Sequence, residues 1–179
     1  MPRLLDGLKR SDKIIKIWLT TNGTLMPDET LLPLMRDPRV CVTISDYDAL
    51  SSRKAELIDM FERLGIAYNV AECASGGWID FGDMHERGRS WDETCKIYKT
   101  CRACSSCNPM IGDKLFPCAR VARMDDLGLR KAESCEYAAL EADPERTRRN
   151  VEKLLAADGI PCCDFCDSWS GARIPAALQ

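Results

Sequence analysis

Histidine is almost missing from the chain: His85 is the only one in 179 residues. It sits in the polar stretch "DMHERGRS", where it reads as a solvated surface residue, and no Ser-His-Asp or paired-carboxylate arrangement can be drawn around it. Long hydrophobic runs are missing too. No apolar segment approaches the roughly 18 to 20 residues that a membrane span needs. The N-terminal "MPRLLDGLKRSDK" has neither the apolar core nor the small-residue cleavage site of a signal peptide, so the expected compartment is cytoplasmic. Nor is there an excess of charge of one sign. Lys and Arg number 25 against 28 Asp and Glu, a net charge of -3, and the pI is near 5.3. That removes the electrostatic case for nucleic acid or an anionic membrane as partner. The chain also has no internal repeat and no low-complexity tail.

What it has in quantity is cysteine, eleven in all. In a reducing compartment a cysteine-rich tract points to a metal site rather than to a disulfide framework. Cys41 and Cys73 stand alone, whereas nine lie between Cys95 and Cys166. Within those nine, Cys101, Cys104 and Cys107 form C-x2-C-x2-C with Cys118 eleven residues on, and Cys162, Cys163 and Cys166 follow a predicted helix. Two thiolate groups on either side of a helix can build a zinc site or an iron–sulfur cluster. Spacing leaves both open. The ferredoxin pattern is not met, because "NPMI" stands where its fourth cysteine and proline would be. Cys41, Cys73, Cys95 and Cys135 read as free cysteines packed as small hydrophobes.

The chain divides by character. "KIIKIWLTTNG" (13–23) predicts a buried strand and a turn, "PDETLLPLMRDP" (27–38) a short helix opened by Pro27, and "RVCVTISD" (39–46) a second strand. "SSRKAELIDMFERLG" (51–65) predicts a helix with Leu57, Ile58, Phe61 and Leu64 on one face and Gly65 at its end. "IAYNVAE" (66–72) is a third strand. This alternation predicts a parallel α/β sheet that begins mid-pattern. A Gly-rich stretch (75–90) marks the boundary. Beyond it, Ser90 and Glu93 have capping-box spacing, "GDKLFPC" suits a hairpin, and "DPERTRRNVEKLLAADGIP" (143–161) predicts a helix opened at Asp143 and closed at Gly159. Its "RTRRN" run reads as a solvated helix face. Trp78, Trp91 and Trp169 read as packing groups.

Together, "TTNGTLMPDETLLPLMRDPRVCVTISDYDALSSRKAELIDMFERLGIAYNV" and the cysteine tract resemble the second half of a radical S-adenosylmethionine enzyme. "TNG" resembles the end of the fourth barrel strand and "VTISDY" the fifth. "C-x5-C-NPMIGDKLFPC" with the late "CCDFC…IPAALQ" resembles a SPASM or twitch-type extension. The resemblance implies a partial parallel β/α barrel over residues 1–83 and a small Cys-rich α+β domain over 84–179 that holds an auxiliary 4Fe-4S cluster. It implies five candidates for the four ligand positions: Cys101, Cys107, Cys118, Cys163 and Cys166, with Cys104 and Cys162 as spectators. It also implies that Asn22, Ser45 and Asp46, at the carboxyl ends of parallel strands, face cofactor or substrate in a completed enzyme. A turn-forming role for Asn22 and a capping role for Asp46 are the alternative. The C-x3-C-x2-C loop of the catalytic cluster and the Gly-Gly-Glu-Pro motif are absent. S-adenosylmethionine chemistry is therefore expected only if the missing N-terminal barrel half completes the chain, either as an upstream continuation of the same chain or as a complementing polypeptide. The competing expectation is a zinc-stabilised structural or interaction domain with a four-cysteine site.

Overall fold

The structure is a computed structural model that describes residues 1–168 and 171–175. Two compact units emerge: Met1–Trp78 with the described residues from Arg173 on, and Ile79–Ala172. The expected boundary at 83/84 thus falls at 78/79.

The first unit opens with helix α1 (Pro2–Lys9), which the sequence reading leaves unassigned. Leu5, only 1% exposed, drives it into the core. Strand β1 (Ile17–Thr21), helix α2 (Leu32–Met35), strand β2 (Val40–Asp46), helix α3 (Lys54–Leu64) and strand β3 (Tyr68–Glu72) follow. The strands form one parallel sheet in the order β1-β2-β3, with Ile17 opposite Val40 and Val42 opposite Tyr68. Helix α3 ends where expected, at Gly65, whose φ of 65° suits a residue without a Cβ. Its Leu57 and Phe61 join Ile17, Met35, Val40, Val42 and Ile44 in the core.

Two expectations are corrected here. The helix expected over 27–38 contracts to four residues, because Pro33 lacks an N–H and fits only its first turn. Pro27 opens no helix. Instead Asp28 accepts hydrogen bonds from the Thr30 N–H and hydroxyl, at 2.8 and 2.5 Å, in a local turn. The first strand is also half-exposed rather than buried. Ile17 faces the core while Trp18 is 60% exposed. Thr20 and Asn69, on the same face as Trp18, are exposed as well. Parallel sheets ordinarily have both faces covered; here the face carrying Trp18, Thr20 and Asn69 is largely open, with Cys41 its buried residue.

Strand β4 (Trp78–Ile79) pairs with a C-terminal strand in a two-stranded ribbon. Helix α4 (Trp91–Thr100) then starts with the expected capping box, the Ser90 hydroxyl accepting from Glu93 N–H and the Glu93 carboxylate from Ser90 N–H. A single helical segment, α5 (Arg102–Ser106), carries the first cysteines. Strands β5 (Met110–Ile111) and β6 (Lys114–Leu115) make the expected hairpin, and β6 also pairs antiparallel with β7 (Ala138–Ala139). Between them lies α6 (Ala119–Asp126), started by Cys118. Helix α7 (Pro144–Leu155) is capped by Asp143, whose side chain accepts from Glu145 N–H, as its sequence predicts. It ends at Leu155, well short of Gly159. The arginines of "RTRRN" point into solvent, Arg148 bridging Glu145 and Glu152. A 3-10 turn (Pro161–Phe165) and strand β8 (Arg173–Ile174), the partner of β4, are the last elements among the described residues. Phe116, Val121, Met124 and Ile160 form the second unit's core, and Cys162 and Cys163 are part of it.

Candidate metal centre

Three separate segments bring cysteines to one place. Cys101 and Cys104 come from the start and middle of α5, Cys118 from the residue that opens α6, and Cys162, Cys163 and Cys166 from the 3-10 turn and its exit. All six line a single small cavity of about 30 Å³, together with Ile97, Arg120, Ile160 and Ser168. Four of the five expected ligands are among them. The fifth, Cys107, is exposed and does not line the cavity. Cys104, expected as a spectator, lines the cavity with them. Interaction with the neighbouring sulfurs of Cys118 and Cys163 pushes its pKa far up, and the same interaction brings Cys118 down to about 7. The N–H groups of Val121 and Arg120 at the start of α6 and the Arg120 charge also favour the Cys118 thiolate. Burial raises Cys162 and Cys166.

The turn bearing Cys162, Cys163 and Cys166 is held by charged groups rather than by its sulfurs. Cys162 N–H donates to the fully buried Glu136 carboxylate at 2.6 Å, which Arg130 neutralises at 2.5 Å. Asp164 is 6% exposed. Its two oxygens accept from the N–H groups of Arg87, Gly88 and Arg89 at 3.1, 2.9 and 2.8 Å. Arg89 donates to the carbonyls of Cys163, Asp164 and Cys166, and Arg120 to that of Phe165. Nearly every peptide from 162 to 166 is thereby pinned, a preorganised backbone of the kind that fixes ligand orientation.

Six cysteine sulfurs on one cavity, once deprotonated by a metal, are donors that suit soft or borderline metals, zinc and iron–sulfur clusters above all. Among the described residues, no three His, Cys, Asp or Glu side chains stand as the ligand set of one metal ion. In a cluster each thiolate binds a different iron, so the sulfurs surround a body instead of meeting at a point.

The remaining expected positions have structural duties. Asn22 and Asp46 sit at the carboxyl ends of adjacent strands. Asn22 Oδ1 accepts from the Thr24 N–H and hydroxyl, and Asp46 pairs with Lys54 at 2.5 Å while accepting from Asp48 N–H. The Ser45 carbonyl accepts from the Ser51 hydroxyl. Of the cysteines expected to be packed as hydrophobes, Cys41 is buried, Cys73 and Cys95 are half-buried, and Cys135 is exposed. Cys135 borders a larger cleft of about 560 Å³ between β7 and α7, which none of the clustered cysteines lines. His85 is exposed and pairs with Asp83. Trp78 packs edge-on against Tyr47 yet is 47% exposed, and Trp91 is 55% exposed. Trp169 lies outside the described residues. The sequence reading missed Glu136, Asp164, Arg89 and Arg120. Only the adjacency of Asp164 and Arg120 to cysteines marked them.

No protein-family model, curated protein or solved structure matches the chain. Among the described residues, no helix is long and apolar enough to cross a membrane.

Proposed function

We propose that this is an iron–sulfur protein whose second unit holds an auxiliary 4Fe-4S cluster in the cysteine cavity. The observation that carries the reading is the meeting of six cysteines from three segments around one cavity. Cys101, Cys118, Cys163 and Cys166 are the proposed ligands, and Cys104 displaces Cys107 as the remaining contender. When bound, such a cluster supplies one-electron transfer at a potential set by burial, hydrogen bonding and nearby charge. The protein's own part is to hold the thiolates and exclude water. The compartment proposed is the cytoplasm, where thiols stay reduced.

Anaerobic purification tests this directly. The expected product is brown, with iron and sulfide in equal amounts, about four of each per chain. A Cys118→Ser variant loses most of the iron, and Cys107→Ser keeps it. A colourless protein carrying one tightly held zinc would instead establish the four-cysteine zinc domain.

The first unit supports the wider reading of a partial radical S-adenosylmethionine barrel. Its parallel sheet has an open β1 edge and one largely open face, the state of a barrel wall that lacks neighbours. In this reading the missing strands and the C-x3-C-x2-C loop come from an upstream continuation or from a complementing polypeptide, and Asn22, Ser45 and Asp46 border the completed cofactor site. The chain alone, reconstituted with iron and sulfide and given S-adenosylmethionine and reductant, is expected to form no 5′-deoxyadenosine. Turnover by the isolated chain would overturn the need for the missing half.

A further inference from the structure

Arg120 is the only charged side chain that lines the cysteine cavity among the described residues. It stands two residues beyond Cys118, in the first turn of α6. Its Nε and Nη2 donate to the Phe165 carbonyl at 3.1 and 2.9 Å, and Nη2 also reaches the carbonyls of Gly82, at 2.8 Å, and Asp83. These partners are neutral oxygens. The neighbouring arginines are compensated: Arg87 pairs with Asp167 at 2.7 Å, Arg130 with Glu136 at 2.5 Å, and Arg89 approaches Asp167 at 3.7 Å. Among the described residues, no carboxylate lies within ion-pair distance of Arg120. Asp167 feels its charge from further off, and so does the cavity's Cys118; three carbonyls fix the direction of that charge.

A four-thiolate cluster carries net negative charge, and accepting one electron adds one more. A fixed cation on the cavity wall favours the reduced form over the oxidised one, the more so because the half-buried surroundings screen poorly. We propose that Arg120 raises the electron affinity of the cavity's cluster through its charge on the cavity wall, while its hydrogen bonds to Phe165 position the Cys166 end of the turn. The proposal rests on the cluster reading above and adds to it a positioning residue with an electrostatic role.

The test is a reductive titration of anaerobically purified protein with dithionite as the one-electron donor, followed by electron paramagnetic resonance. Arg120→Met should make reduction at least tenfold less favourable, about 59 mV to the negative side for a one-electron couple. Arg120→Lys keeps the charge but loses the planar fork. It should shift the potential by less than half as much while lowering the thermal midpoint of the chelator-treated protein as far as the Met variant does. A Met variant that binds iron at the wild-type potential overturns the proposal, because then only the Phe165 contact matters. If the Met variant takes up no iron, the Lys variant decides. Uptake near the wild-type potential supports the role of charge, and failure of both variants overturns it. A wild-type chain without iron removes the cluster reading itself, an outcome seen in the unmutated protein alone.

Discussion

Cys104 and Cys107 belong to one C-x2-C-x2-C run, yet only Cys104 faces the cavity. Sequence spacing treats them alike. The backbone separates them: Cys104 lies inside α5, whereas Cys107 leaves it with φ −135° and ψ 93° and turns outward. Gly159 makes the same point about glycine. As a helix terminator it would sit just past the last turn, but α7 ends at Leu155. Its actual duty is close approach, since a Cβ there would lie 2.8 Å from Cys95 Sγ and 3.1 Å from Cys95 Cα. Gly159→Ala should therefore destabilise the protein by about 1–3 kcal/mol, the usual range for overpacking. Urea denaturation reads this as a lower midpoint. Adding Cys95→Ala should restore only part of it, because the contact with the backbone Cα remains. An unchanged midpoint for the single variant would refute the packing account.

Among the elements, those with a capping signature were legible in sequence. Ser90 with Glu93, Asp143 and Gly65 each marked a helix end that the structure retains. Helices α1, α5 and α6 were not legible, being short and lacking a Ser, Thr, Asp or Asn at the N-cap. The 3-10 turn depends least on its own sequence. Burial by itself would raise the Asp164 carboxyl, but the N–H groups of Arg89, Gly88 and Arg87, with the Arg89 charge, bring it net below the usual value. A carboxyl held low in the native state contributes stability that is complete above its unfolded pKa of about 3.9 and fades as pH falls below it. Asp164→Ala leaves those three N–H groups without their acceptor and should cost about 1–3 kcal/mol. Hydrogen exchange at neutral pH should speed up at residues 87–89 and leave α3 unchanged. In the variant, the loss of stability between about pH 4 and pH 2 should be shallower than in the wild type. Equal exchange rates at 87–89 would mean that the carboxylate does not hold the loop.

At the scale of the whole molecule, the open edge of the parallel sheet governs behaviour. Strand β1 is an edge strand, Trp18 on it is 60% exposed, and Ile15 and Leu25 nearby are 85% and 76% exposed. Such an edge pairs readily with other chains. The purified chain is expected to associate as its concentration rises, and Trp18→Lys should reduce this in sedimentation velocity without altering the iron content of the second unit. Concentration-independent sedimentation of the wild type would show that the edge is protected. The sequence by itself determined the α/β alternation, the capped helices, the hairpin after the first cysteines and the thiolate character of the site, because each follows from local preference or side-chain chemistry. Tertiary structure alone decided which cysteines meet, that Cys104 is among them and Cys107 is not, and that Arg120 stands beside them on the cavity wall. Those outcomes depend on how Phe116, Val121 and Ile160 pack and on where distant charges reach. No periodicity or spacing along the chain encodes either.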